Sequence, residues 1–213
     1  MMSLFADELP WRFDLLPGAV VLHRFALHEA SALLETIAAV ASQAAFRHLV
    51  TPGGLAMSVA MTNCGEKGWH SDAHGYRYTT HDPLSGKPWP VMPANLCVLA
   101  QRAAQEAGYP DFHPDACLVN RYVPGARLSL HQDKDEQDRT APIVSVSLGL
   151  PAVFQFGGAT RQSPLQRVLL EHGDVVVWGG PSRLFYHGVQ PLKEGIHPDA
   201  GAVRYNLTFR KTC

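Results

Sequence analysis

Read for alternation of apolar and polar positions, the chain changes character near Pro114. Before it, Leu33, Leu34, Ile37, Val40 and Ala41 recur at helical spacing and predict an amphipathic helix over residues 28–45. A second helix is predicted over residues 94–107, with Leu96, Leu99, Ala100, Ala103 and Ala104 on its inner side. Gly108 and Pro110 stop it. Residues 1–25 read as an irregular arm ending in a short apolar strand at residues 19–22. Between the helices lies a polar stretch rich in Gly, Trp, Tyr and His, with strand-like pieces such as Ser58-Val59-Ala60-Met61.

After Pro114 short β-rich runs take over, at residues 117–123, 127–131, 143–148, 152–156, 167–171, 174–178, 184–189 and 203–210. Pro124-Gly125, Gly149, Gly157-Gly158, Gly173 and Gly179-Gly180 punctuate them. Roughly eight short strands at this spacing specify a sandwich or barrel. Helices first and strands afterwards make an α+β protein, mainly β, with the helices packed on one face of the β core.

Composition narrows the picture. At 213 residues, with 46% apolar and 17% charged residues, the chain suits one domain or at most two small ones. A net charge of −1 gives no global attraction for polyanions, so a nucleic-acid partner has to be held by a local patch. No apolar run approaches the roughly 18 residues that span a bilayer. The N-terminus does not read as a signal peptide. Cys64, Cys97, Cys117 and Cys213 show no CxxC spacing, which argues against a thiolate zinc site and against a zinc deaminase. They are read as reduced thiols in the cytoplasm.

The chemistry begins where a strand, Leu128-Ser129-Leu130, runs into His131, Gln132, Asp133, Lys134, Asp135 and Glu136. Side chains two apart on a strand share a face, so His131 and Asp133 make the start of a metal site. A hydrated loop is the ordinary alternative for an isolated HxD. His187, in an apolar run, completes two histidines and one carboxylate, the facial set that leaves positions open on Fe(II). In Arg204-Tyr205-Asn206-Leu207-Thr208-Phe209-Arg210, alternation puts Arg204, Asn206, Thr208 and Arg210 on one face. With Leu207 and Phe209 on the helices, two arginines point into the barrel. Buried guanidiniums need anions: either protein carboxylates or a small dicarboxylate ligand. Asn120 and Tyr122 would add neutral donors. Lys134 and Glu136 are expected to face solvent, and His172, beside a turn, to be structural.

Together, HQD at residues 131–133, His187 and RYNLTFR at residues 204–210 resemble the Fe(II)/2-oxoglutarate dioxygenases of the AlkB family. So do PDACLVNRYVPGARLSLHQDKDE, APIVSVSLGLPAVFQFGG and TPGGLAMSVAMTNCG, and the likeness covers nearly the whole chain. The resemblance implies a double-stranded β-helix (jelly roll) and oxidative demethylation of bases such as 1-methyladenine and 3-methylcytosine in single- or double-stranded DNA, with RNA a further candidate. It implies Fe(II) as cofactor, with 2-oxoglutarate and O2 as co-substrates. His131, Asp133 and His187 would hold the iron. Arg204 would pair with the distal carboxylate of 2-oxoglutarate, Arg210 and Asn206 would lie near its metal-binding end, and Asn120 and Tyr122 would complete the pocket. Residues 1–45 would be the arm and first helix, 46–90 a nucleotide-recognition lid, and 91–213 the second helix with the dioxygenase core.

By the same resemblance Trp69 stacks on the damaged base opposite His131, and Tyr76 and Tyr78 approach the nucleic-acid backbone. Asp135 reads the cationic base, and Arg161 approaches the substrate. Aromatic faces and polar donors in residues 68–78 fit the way single strands are gripped; a loop packed on the core is the alternative. Two rivals remain at this level: a 2-oxoglutarate dioxygenase of a protein or small molecule, and a jelly roll that binds without turnover. No obligate protein partner and no membrane are expected, and a monomer is.

Overall fold

The computed structural model describes residues 10–213, so residues 1–9 of the arm lie outside it. Residues 11–16 of that arm are not irregular. Trp11–Leu16 (β1) pairs antiparallel with Ala19–His23 (β2), turning at Gly18, whose φ of 81° puts it in the left-handed region. The signal was legible: Trp11, Phe13 and Leu15 alternate with Arg12 and Asp14, and Pro17-Gly18 is a turn pair. The predicted helices are present as Ala30–Gln43 (α1), after a short 3-10 turn, and Ala94–Glu106 (α2).

The remaining strands are Arg47–Val50 (β3), Ala56–Gly65 (β4), Gly68–Asp72 (β5), Gly75–Thr79 (β6), Ala116–Tyr122 (β7), Leu128–His131 (β8), Ile143–Gly149 (β9), Ala152–Phe156 (β10), Gln166–Leu170 (β11), Val175–Trp178 (β12), His187–Val189 (β13) and Arg204–Arg210 (β14). An eight-stranded major sheet runs β1-β2-β12-β9-β14-β7-β4-β3, and a four-stranded minor sheet runs β11-β10-β13-β8. All their pairings are antiparallel. The strand expected over residues 184–189 is shorter: Leu184, Phe185 and Tyr186 belong to the turn after the 3-10 segment Gly180–Ser182.

The major sheet separates two cores, and this explains why its strands read as continuous apolar runs. On one face Val20, Val119, Val146, Val177, Leu207 and Phe209 pack with Leu33 and Ile37 of α1 and Leu96 and Leu99 of α2. On the other face Val21, Leu118, Tyr122, Ile143, Val176 and Trp178 pack with Phe154, Phe156 and Val189 of the minor sheet. Period-2 alternation sends each strand's residues to the two cores in turn. The fold is a double-stranded β-helix with both helices on one face, as expected. Residues 46–90 give β3 and β4 to the major sheet, and β5–β6 stands apart as a two-stranded hairpin. Among the described residues no helix is long and apolar enough to cross a membrane.

Candidate active site

His131 ends β8 and His187 begins β13, and the two are direct cross-strand partners in the minor sheet. Their rings lie 4.4 Å apart. Asp133 lies past the end of β8, so strand geometry alone does not aim it. Two arginines do: Arg210 Nη2 donates to its Oδ2 at 2.9 Å, and Arg183 Nη1 donates to its carbonyl at 2.7 Å. The outcome is that His131 Nε2 stands 3.7 Å from Asp133 Oδ1, and His187 Nε2 stands 3.8 Å from Oδ2.

The imidazoles are set up as ligands. His131 Nδ1 donates to the carbonyl of Ser129 at 2.8 Å, and His187 Nδ1 donates to that of Phe185 at 3.0 Å. A proton on Nδ1 leaves the Nε2 lone pair facing the carboxylate, the tautomer a metal needs. Burial, followed by the neighbouring His131, pushes His187 down to about 4 and keeps it neutral. Trp178, 4.8 Å from the ring, and Phe154, at 6.1 Å, wall it off. For Asp133 burial alone would raise the pKa, but the charge of Arg210 outweighs it and holds the carboxyl well below the usual range. Two Nε2 atoms and one ionised carboxylate, all within 4.8 Å of one another, fit a divalent iron.

The two arginines of β14 differ. Arg210 is satisfied within the protein by Asp133, with Glu136 at 3.4 Å. Arg204 is 1% exposed and donates from Nη2 to Ser147 Oγ at 2.9 Å, while its Nε and Nη1 have no partner. Its guanidinium lies 4.9 Å over the ring of Tyr122, its cross-strand neighbour. Burial pushes its pKa below the ordinary value. Two unused donors on a buried cation call for an anion, and the planar fork suits a carboxylate. Asn120 and Asn206, also cross-strand partners, join by a 3.1 Å hydrogen bond, and Asn120 Oδ1 is unpartnered. The sequence missed Ser145 and Ser147, which hold Asn206 and Arg204 from β9.

Above the triad, the β5–β6 hairpin presents Trp69 and Tyr76 stacked at 5.6 Å. Asn63 grips Trp69 through both its backbone groups, and the indole Nε1 donates to Asp135 Oδ2 at 2.8 Å. Tyr76 is exposed. Tyr78 points inward: its hydroxyl donates to Glu136, and burial raises its pKa well above normal. Arg161 is exposed, reaches the carbonyl of Leu130 next to His131, and lies 5.0 Å over Tyr186.

An expectation for the loop after Asp133 is also wrong. Lys134 is exposed as predicted, but Glu136 is 3% exposed, ion-paired with Arg183 at 3.1 Å. Its partners, Tyr78 and Arg183, are far away in sequence, so nothing local marked it as buried. His172 is structural as expected. It lies with His197 and Asp199 in a second group of metal-type ligands, but Nδ1 of His172 accepts from Gly149 N–H and Nδ1 of His197 from Asp199 N–H. Each neutral ring then carries its proton on Nε2 and offers no free lone pair.

A jelly roll holding two histidines and a carboxylate beside a buried arginine defines a class, and sequence comparison agrees with it. The chain belongs to the 2OG-Fe(II) oxygenase superfamily, whose model matches residues 18–210. It is 65% identical over 211 residues to the alpha-ketoglutarate-dependent dioxygenase AlkB of Salmonella typhimurium, covering 99% of this chain and 98% of that one. It is 33% identical over 174 residues to the DNA N(6)-methyladenine demethylase ALKBH1C of Arabidopsis thaliana, covering 70% of this chain and 38% of that one. A solved structure of OsALKBH1 superposes with a TM-score of 0.84 at 30% identity, covering 94% of this chain and 100% of that one.

Proposed function

We propose that this Fe(II)- and 2-oxoglutarate-dependent dioxygenase removes methyl groups from N-alkylated bases such as 1-methyladenine and 3-methylcytosine in DNA, with RNA as a second substrate to be tested. The observation that carries the substrate half is the 2.8 Å hydrogen bond between Trp69 and Asp135. It sets an aromatic face beside a carboxylate, two residues from the iron ligand Asp133. The superfamily model and the 65% identity to AlkB support the dioxygenase half, and the Arabidopsis demethylase supports the substrate class.

Iron at the triad, with 2-oxoglutarate and O2, supplies the oxidation of the methyl group, which leaves as formaldehyde while the co-substrate becomes succinate and CO2. The chain's own residues do the rest. His131, Asp133 and His187 hold the metal. Arg204 gives its two free donors to the distal carboxylate, with Tyr122 and Asn120 beside it; Arg210 and Asn206 line the metal-binding end. Arg210 also keeps Asp133 ionised. A base inside a duplex cannot reach the triad, so it must be flipped out or already single-stranded. Trp69 then stacks on it across from His131. Asp135 exchanges the indole N–H for the exocyclic amine and favours the cationic ring that N-methylation creates. Tyr76 and Arg161 meet the strand, and Tyr78 acts from below the hairpin. In this reading residues 46–90 carry the lid. The enzyme works as a monomer in the cytoplasm, where its nucleic-acid substrate lies; size-exclusion chromatography at the mass of one chain tests the first point.

The test is incubation with Fe(II), 2-oxoglutarate, ascorbate and a short single-stranded oligonucleotide carrying one 3-methylcytosine. Mass spectrometry follows the oligonucleotide, and a parallel assay follows succinate. Loss of the methyl group, abolished in His131→Ala, is the expected result. Succinate without repair would transfer the activity to a protein or small-molecule substrate.

A further inference from the structure

Glu136 lies in the loop that carries the iron ligand Asp133, yet it is buried more completely than most carboxylates tolerate. Its surroundings give it a balanced set of partners. Oε1 accepts the hydroxyl of Tyr78 and lies 3.4 Å from Arg210 Nε. Oε2 lies 3.1 Å from Arg183 Nη2. Arg183 is itself 3% exposed and donates to the carbonyls of Asp133 and Ala141. Two carboxylates, Asp133 and Glu136, thus face two guanidiniums, Arg183 and Arg210, out of water. A buried carboxylate without such partners costs several kcal/mol.

Of these three partners Tyr78 is the informative one. Tyr78 belongs to β6 of the lid hairpin, and its cross-strand partner in the register is Trp69. Cross-strand partners in an antiparallel pair share a face, so fixing one places the other. Trp69 in turn donates to Asp135. Adjacent carboxylates of the iron-side loop therefore hold adjacent positions of the lid: Asp135 takes Trp69 and Glu136 takes Tyr78. The Glu136 contact is the more buried of the two, and Glu136 connects through Arg210 and Arg183 to both the side chain and the carbonyl of Asp133.

We propose that Glu136 is a positioning residue of the reaction, the buried joint through which the lid hairpin and the iron-side loop fix each other. It touches neither base nor metal. It sets where Trp69 stands relative to Asp133, and so how far a stacked base lies from the oxidising centre. The proposal rests on the reading that the hairpin covers the base. Its consequence is coupling: with the joint intact, 2-oxoglutarate is consumed in step with repair. With the joint open, succinate accumulates faster than repaired base.

Glu136→Ala would strand the buried guanidinium of Arg183, so the deciding variant is Tyr78→Phe, which removes one hydroxyl from the lid side. Two readouts separate positioning from mere stability. Hydrogen exchange on the unliganded protein should show the amides of residues 68–79 exchanging about tenfold faster, the equivalent of one charge-assisted hydrogen bond, while those of β9 and β14 keep their rates. In turnover with the 3-methylcytosine oligonucleotide, succinate formed per repaired base should rise several-fold with the KM for 2-oxoglutarate unchanged. Glu136→Gln, which keeps an acceptor for the phenol, should fall between wild type and Tyr78→Phe in both. Hairpin exchange at the wild-type rate overturns the joint. A loosened hairpin with wild-type coupling overturns the positioning role. Wild-type protein that makes succinate but repairs no oligonucleotide overturns the substrate reading instead, and the exchange result still decides the joint.

Discussion

Arg204 and Arg210 stand at the two ends of one strand, on one face, both buried, and they meet opposite electrostatic fates. At one end the counter-charges are built in: Asp133 and Glu136 surround Arg210. At the other, among the described residues, no carboxylate is in reach and two guanidinium donors are left without partners. Folding tolerates the first arrangement because the charges cancel. It tolerates the second because Tyr122 and Ser147 take part of the load. The difference teaches which arginine is neutralised inside the protein and which one keeps donors free for an anion.

The comparison breaks most visibly in stability. Arg210→Met leaves Asp133 and Glu136 facing each other with one guanidinium fewer, and should lower the unfolding free energy of the metal-free protein by about 3–5 kcal/mol. Arg204→Met removes an under-satisfied cation from the same cavity and should leave the melting temperature unchanged or raised. Its cost is binding: the apparent affinity for 2-oxoglutarate should fall on the order of a hundredfold, read from succinate formation. Equal destabilisation by both variants would mean that Arg204 has a counter-charge in the folded protein after all.

Much of this contrast is legible in the residue pattern alone. Alternation in RYNLTFR places both arginines on the inner face, and a protein carboxylate answers the charge of Arg210, while among the described residues none answers that of Arg204. HxD and His187 locate the triad, although β8 ends at His131 and Asp133 is aimed by Arg183 and Arg210, not by strand geometry. What stays illegible depends on distant partners. Glu136 reads as a solvated loop residue because Tyr78 and Arg183 lie 58 and 47 positions away. Asn63, which clasps Trp69, and the two serines of β9 carry no motif at all. The turn at residues 184–186 looks like strand because Leu184, Phe185 and Tyr186 are strand-forming types, and only the tertiary path at the triad bends them.

His187 sharpens the comparison from the metal side. Its folded pKa of about 4 lies below the ordinary 6.5. Between those values the unfolded chain binds a proton that the folded site refuses, so stability of the metal-free protein falls as pH drops through this window. The loss should be on the order of 3 kcal/mol by pH 4. Denaturation midpoints measured in chelator between pH 7 and 4 give the curve, and His187→Gln should flatten it. Fe(II) competes with the proton for Nε2 and should carry the plateau to lower pH. A flat metal-free curve would show that the ring is less buried than the Trp178 and Phe154 contacts imply.

Asp135 is the exposed counterpart of Glu136, and its effect should be confined to base choice. Asp135→Asn keeps an acceptor for the Trp69 indole and loses the charge that favours a cationic ring. The ratio of kcat/KM for 3-methylcytosine over neutral 3-methylthymine should fall roughly tenfold, the difference between a charge-assisted and a neutral hydrogen bond. Succinate formation without nucleic acid should not change. A preserved ratio would remove Asp135 from base reading.

The smallest effect comes from a third arginine, on the β5–β6 hairpin. Arg77 donates twice to Asp72 beside the β5–β6 turn, and the side chains are 36% and 29% exposed. The hydrogen bond from Arg77 holds the Asp72 carboxyl far below its usual pKa, but water screens the pair. Unlike Arg210, Arg77 can lose its carboxylate without a buried charge being left behind, so Asp72→Asn should leave the melting temperature where it is. Unlike Arg204, a freed Arg77 looks out towards solvent and has only a phosphate to find. Binding of a single-stranded oligonucleotide should then become steeper in salt by up to about one phosphate contact, a slope change near 0.7. An unchanged slope would place Arg77 off the path of the strand and leave Tyr76 as the contact from the hairpin.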